Sequence, residues 1–207
     1  MHPEAVRAIT QQCLAILTKQ KWLRNFYLAG GTGLAILLGH RVSDDLDFFS
    51  QKEVNPKTLR SLLSPLGSLK IEMEKEGTLW ATFDQTKVSF FHYEYPLIDN
   101  LQELEGISIA GLQDIACMKL DTISARGSRR DFIDLYFILK EGYSLADLFN
   151  WFHQKFSNVD YNRAHLLKSL NYFDDAESEK SPIMIKNYSW EELKGFFRRE
   201  VKQLIRL

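Results

Sequence analysis

The chain has 207 residues, 45 % of them apolar and 26 % charged, with a formal net charge of -1. This composition excludes a disulfide-stapled miniprotein, an extended disordered chain and a surface basic enough to bind nucleic acid by total charge, although a local basic patch can sit inside a neutral total. Cys13 and Cys117 form no C-x-x-C pair and read as free thiols of a reducing compartment, so a cytoplasmic location is expected.

The opening segment, MHPEAVRAITQQCLAIL, has neither the basic start nor the unbroken apolar core of a secretory signal, and no apolar run elsewhere reaches bilayer-spanning length. Val6, Ile9, Cys13, Ile16 and Leu17 recur at helical spacing after Pro3, which suits a first helical turn. Phe26 to Gly30 predicts a short buried strand, Gly31 to Gly39 a helix, and Asp45 to Phe49 a second strand. Pro56 starts a helix running to about Ser64.

LKIEMEKE, TLWATFD and KVSFFHYEY follow as strands, separated by Gly77 and by Asp84-Gln85-Thr86. Such short separators dictate an antiparallel meander. Ile107 to Ile109 adds a short strand before Gly111. From Leu112 the periodicity turns helical over 112–126, 130–140, 144–156, 160–172 and 189–206, with the polar run Asp174 to Pro182 predicted as a loop. The expected class is α+β, organised as residues 1–110 and a helical region, 111–207, that completes the active-site cleft.

The chemistry concentrates in LAGGTGLAILLGHRVSDDLDFFS. Asp45 and Asp47 are two apart on a strand, so both carboxylates leave one face while Leu46 and Phe48 enter the other. Converging carboxylates repel unless a cation or a proton lies between them, and oxygen-only ligands favour Mg²⁺ or Mn²⁺. Gly30 and Gly31 let the backbone approach a phosphate, and the next helix presents free N–H groups at Gly31-Thr32. Metal at Asp45 and Asp47 with donors at Gly31-Thr32 suits in-line attack on a nucleoside triphosphate. His40 and Arg41 read as helix C-terminal cations that either only complement the helix end or also contact phosphate.

A second cluster lies in LQDIACMKLDTISARGSRRDFIDLYFIL. Lys119 falls in the apolar arc of Leu112, Ile115, Ala116 and Ile123, where it either snorkels or meets nucleotide phosphates. Asp131 and Asp134 share one face early in the next helix, where they either cap it or accept the proton of an attacking hydroxyl. His92-x-Glu94 has a zinc-deaminase spacing without the following P-C-x-x-C, and neither a dinucleotide fingerprint nor a G-x-x-x-x-G-K loop occurs.

GGTGLAILLGHRVSDDLDFF and MKLDTISARGSRRDFIDLYFIL together resemble the AbiEii/AbiGii-type nucleotidyltransferase toxins of type IV toxin–antitoxin and phage-abortive systems. The resemblance spans about Phe26 to Leu139. It implies a polymerase-beta-like core with a mixed, mostly antiparallel sheet, Mg²⁺-dependent transfer of a nucleoside monophosphate, transfer RNA or another RNA as acceptor, and a cognate antitoxin. It also implies a third carboxylate on a later strand, where this sequence has Ser89. An inactive nucleotide-binding module and an enzyme acting on a small hydroxylated molecule stay open beside the RNA-modifying toxin.

Overall fold

The computed structural model describes residues 1–206. Two compact units divide the chain: Met1–Pro96 with Asn100–Gly111, and Leu97–Asp99 with Leu112 onward.

The first unit is built on one seven-stranded sheet. Its strands are β1 (Tyr27–Leu28), β2 (Leu46–Ser50), β3 (Leu69–Lys75), β4 (Thr78–Phe83), β5 (Thr86–His92), β6 (Gln102–Leu104) and β7 (Ile107–Ile109), in the spatial order β3-β4-β5-β2-β1-β7-β6. The meander β3-β4-β5 is antiparallel, as its short turns require, and β1 pairs antiparallel with β2 and β6 with β7. Two pairs are parallel, β1 with β7 and β2 with β5. The sheet is therefore mixed and mostly antiparallel.

Alternation decides the two faces. Leu46, Phe48, Leu79, Ala81, Phe83, Val88 and Phe90 are buried on one of them, packed with Cys13, Leu14 and Leu17 of α1 (Ala8–Leu17) and with Leu59 and Leu63 of α3 (Pro56–Leu63). Burial pushes the Cys13 thiol up to about 12, so this cysteine is an inert apolar filler.

Several boundaries move from the sequence expectation, for local reasons. Pro3 opens a single 3-10 turn, and α1 starts only at Ala8. The first strand shrinks to two residues, because Gly30 already begins α2 (Gly30–Leu38). Asp45 lies just before β2, and the strand expected through Tyr95 ends at His92. The hairpin strand β6 and a 3-10 turn at Lys21–Asn25 are too short to leave a periodic signal.

The second unit is helical: α4 (Leu112–Arg126), α5 (Arg129–Lys140), α6 (Leu145–Lys155), α7 (Arg163–Ser169), α8 (Asp174–Glu177) and α9 (Trp190–Arg206). Phe132, Phe173, Trp190 and Phe197 form its aromatic core, with ring centroids of Phe132 and Phe173 at 4.9 Å. Ser144 and Asp147 form a reciprocal capping box that fixes the start of α6. The run expected as a loop from Asp174 begins as the single turn α8, anchored by buried Ala176. Among the described residues no helix is long and apolar enough to cross a membrane.

Candidate active site

The glycine turn meets Asp47 because β1 and β2 are antiparallel neighbours. Ala29, at the end of β1, donates its N–H to the Asp47 carbonyl at 3.0 Å. Gly30 follows with φ +63, and a Cβ built on it lies 2.9 Å from Asp47 Oδ2. Only glycine fits this position, because a side chain meets both left-handed strain and the carboxylate. Replacing it by alanine is expected to cost about 1–2 kcal/mol in unfolding free energy. The same change displaces Asp47, so transfer activity should fall more than the melting temperature suggests; equal activity in Gly30→Ala would show that the carboxylate position does not matter.

Gly31 is the second close approach. A Cβ there collides with the Arg41 guanidinium and comes within 3.2 Å of Ser43 Oγ. Arg41 is 4 % exposed, so the chain leaving α2 folds its guanidinium back against the start of the same helix. The left-handed Gly39, φ +60, ends α2 and allows that reversal. Arg41, expected as a C-terminal cation, thus sits at the N-terminal end of α2. His40 is fully buried.

Thr32 is buried; its hydroxyl donates to the Asp45 carbonyl in a short hydrogen bond and pairs with the Ser43 hydroxyl at 2.9 Å. These bonds clamp the segment before β2 onto α2. Asp45 and Asp47 remain half-buried, beside the first-turn N–H groups of α2, which have no intrahelical acceptor. The parallel pairing of β2 with β5 sets Ser89 directly beside Asp47. Among the described residues no cluster of three carboxylate, histidine or cysteine side chains forms a metal site. His92 is exposed at the end of its strand.

Lys119, Asp131 and Asp134 belong to the helical unit. Lys119 Nζ lies 2.8 Å from Asp131 Oδ1 and 2.7 Å from Asp134 Oδ2, with the lysine side chain 10 % exposed. The ammonium that the sequence leaves between snorkelling and phosphate has two carboxylates in the fold. Asp131 also accepts from Ser128 Oγ at 2.6 Å and faces Arg126 at 3.7 Å. Ser128 caps α5 by accepting the Asp131 N–H, so Asp131 is both a helix-start residue and one arm of a buried ionic cluster.

A second buried pair escaped the sequence reading. Lys155 Nζ lies 2.6 Å from Asp114 Oδ1, both side chains fully buried. Asp114 also accepts the backbone N–H of Asp99 at 2.9 Å and that of Ile98 at 3.2 Å. The signal available was Asp114 beside the apolar stripe of α4, but its partner is 41 residues away.

Residues 12–203 match the family described as nucleotidyl transferase AbiEii toxin of type IV toxin–antitoxin systems. An uncharacterized protein of Aquifex aeolicus is 41 % identical over 186 residues, covering 87 % of this chain and 88 % of that one. The chain belongs to the AbiEii nucleotidyltransferase toxin family. Solved structures agree on the fold: MenT4, a nucleotidyltransferase toxin of Mycobacterium tuberculosis, superposes with TM-score 0.57 at 13 % identity, over 97 % of this chain and 86 % of that one. JHP933 of Helicobacter pylori superposes with TM-score 0.55 at 19 % identity, over 99 % and 94 %. Membership of this type IV toxin family implies a nucleoside triphosphate substrate and an antitoxin counterpart.

Proposed function

We propose that this AbiEii nucleotidyltransferase transfers a nucleoside monophosphate to a hydroxyl of RNA, with Mg²⁺ or Mn²⁺ held by Asp45 and Asp47. The observation that carries the reading is Gly30, whose missing side chain leaves the space that faces the Asp47 carboxylate. Two half-buried carboxylates fit an ion that takes one or two protein oxygens and completes its shell with water and substrate phosphate. The ion, when bound, neutralises charge developing on the triphosphate.

The chain's own groups do the rest. Gly30, Gly31 and Thr32 bring backbone N–H donors and the positive end of α2 to the phosphates, and Arg41 adds a fixed cation behind Gly31. Asp131 is the proposed acceptor of the proton from the attacking hydroxyl; as the oxygen–phosphorus bond forms, pyrophosphate leaves. Lys119 is the proposed phosphate contact of the helical unit. In the fold its ammonium is shared between Asp131 and Asp134.

Ser89 beside Asp47 supports a second reading, a nucleotide-binding module with incomplete metal ligation. A serine hydroxyl is a neutral ligand and a poor base. Incubating the protein with each labelled nucleoside triphosphate, Mg²⁺ and total RNA decides between the two. Label in RNA supports transfer to RNA, label in a small molecule shifts the acceptor class, and no label with intact nucleotide binding favours the module. In the active enzyme, Ser89→Ala should be mild, whereas Asp131→Asn should slow transfer by about a hundredfold or more with nucleotide affinity kept. The reverse ranking would remove Asp131 from the role of base.

A further inference from the structure

The face of the sheet that carries Asp47 continues outward as a basic, aromatic surface. In register across the strands, Asp47 neighbours Ser89, and Ser89 neighbours Trp80. All three therefore project from the same face. Trp80 is 40 % exposed in the middle of a strand whose opposite face is fully buried. A large indole in that position is not needed by the core, and Leu79 and Ala81 already supply that strand's apolar contacts.

The surroundings of Trp80 are selective in charge. Lys87 follows the same alternation as Ser89, while Lys70 and Lys75 reach this face as the partners of Thr82 and Thr78. All three lysines are exposed. Two acids stand near them: Glu72, at the bulge of β3, accepts a hydrogen bond from Thr82 at 2.7 Å, and exposed Glu76 follows Lys75 in the turn to β4. The ring has an aromatic neighbour on its own face, since Phe91 meets it edge-on at 6.4 Å and itself stacks on Phe49 at 5.0 Å. An exposed indole held rigid among lysines on an open sheet is the pattern that stacks an unpaired base and neutralises its phosphates.

We infer that Trp80 with Lys70, Lys75 and Lys87 is a platform for the single-stranded end of the acceptor RNA, which stacks a base on the indole and leads its hydroxyl over Ser89 toward Asp47. This rests on the RNA-acceptor reading above. The surface selects unpaired RNA because stacking needs a free base face, whereas a duplex offers only its backbone to the lysines.

The test is fluorescence anisotropy of the full chain with a short labelled single-stranded RNA bearing a free 3′ hydroxyl, alongside transfer kinetics. Trp80→Ala should weaken RNA binding about five- to a hundredfold. Trp80→Phe should restore most of that loss, and the KM for nucleoside triphosphate should stay unchanged in both. Lys87→Gln should lower the slope of log affinity against log salt by about 0.7, the value for one phosphate of a single strand. Unchanged RNA affinity and RNA labelling in Trp80→Ala would overturn the platform while leaving the RNA acceptor standing. A wild type that labels only protein or a small molecule, and binds no RNA, would overturn both.

Discussion

Asp47→Asn is expected to slow nucleotidyl transfer by about a hundredfold or more, the scale of losing one fixed charge at a phosphoryl-transfer centre. That factor corresponds to about 2.7 kcal/mol of transition-state stabilisation. Asparagine keeps the volume, and the Ala29 N–H still finds the residue-47 carbonyl, so β2 should keep its register. Asp45→Asn makes a paired control. The Thr32 hydroxyl bonds the carbonyl of residue 45, not its carboxylate, and the clamp on α2 therefore survives. Both variants should remain folded by circular dichroism and lose activity together. Full activity in either would take that carboxylate out of the proposed metal site, and a parallel loss of melting temperature would indicate a structural role.

Lys155→Met should have the largest effect on stability, about 3–5 kcal/mol in denaturant unfolding, because it strands a buried carboxylate. Methionine replaces the apolar stem, so little packing is lost. What disappears is the cation 2.6 Å from Asp114, where neither side chain touches water. Asp114 has a further duty in accepting the Ile98 and Asp99 N–H groups. The double variant Asp114→Asn with Lys155→Met removes the uncompensated charge and keeps an acceptor for that backbone. It should therefore be less destabilised than the sum of the two single changes, with a coupling energy measurable by a double-mutant cycle. Additive costs would mean that the two groups do not depend on each other.

How much of this was legible beforehand follows from the range of each interaction. The α+β class, the meander and the helical second half were readable because alternation and three-four spacing are local. The glycine turn at the start of α2 was readable for the same reason, whereas Asp45, expected on the strand with Asp47, lies just before β2. Ser89 beside Asp47 was expected only through the pairing implied by the family resemblance. Alternation could give its face, but the parallel register of β2 with β5 fixes its neighbour.

Arg41 looked like an ordinary helix-end cation, since sequence distance to Gly31 says nothing about a chain that reverses at Gly39. Lys119 offered two readings because periodicity finds burial, not partners. The tertiary structure chose Asp131 and Asp134, 12 and 15 residues on in the chain, by packing α4 against α5. Asp114 and Lys155 were invisible as a pair for the same cause: a charge is tolerated in the interior where another element brings its counter-ion. Trp80 shows the converse. Its strand was evident from the sequence, but the lysines sharing its face and its line to Asp47 exist only once β3, β4, β5 and β2 lie in register, because cross-strand neighbours are set by pairing and not by position along the chain.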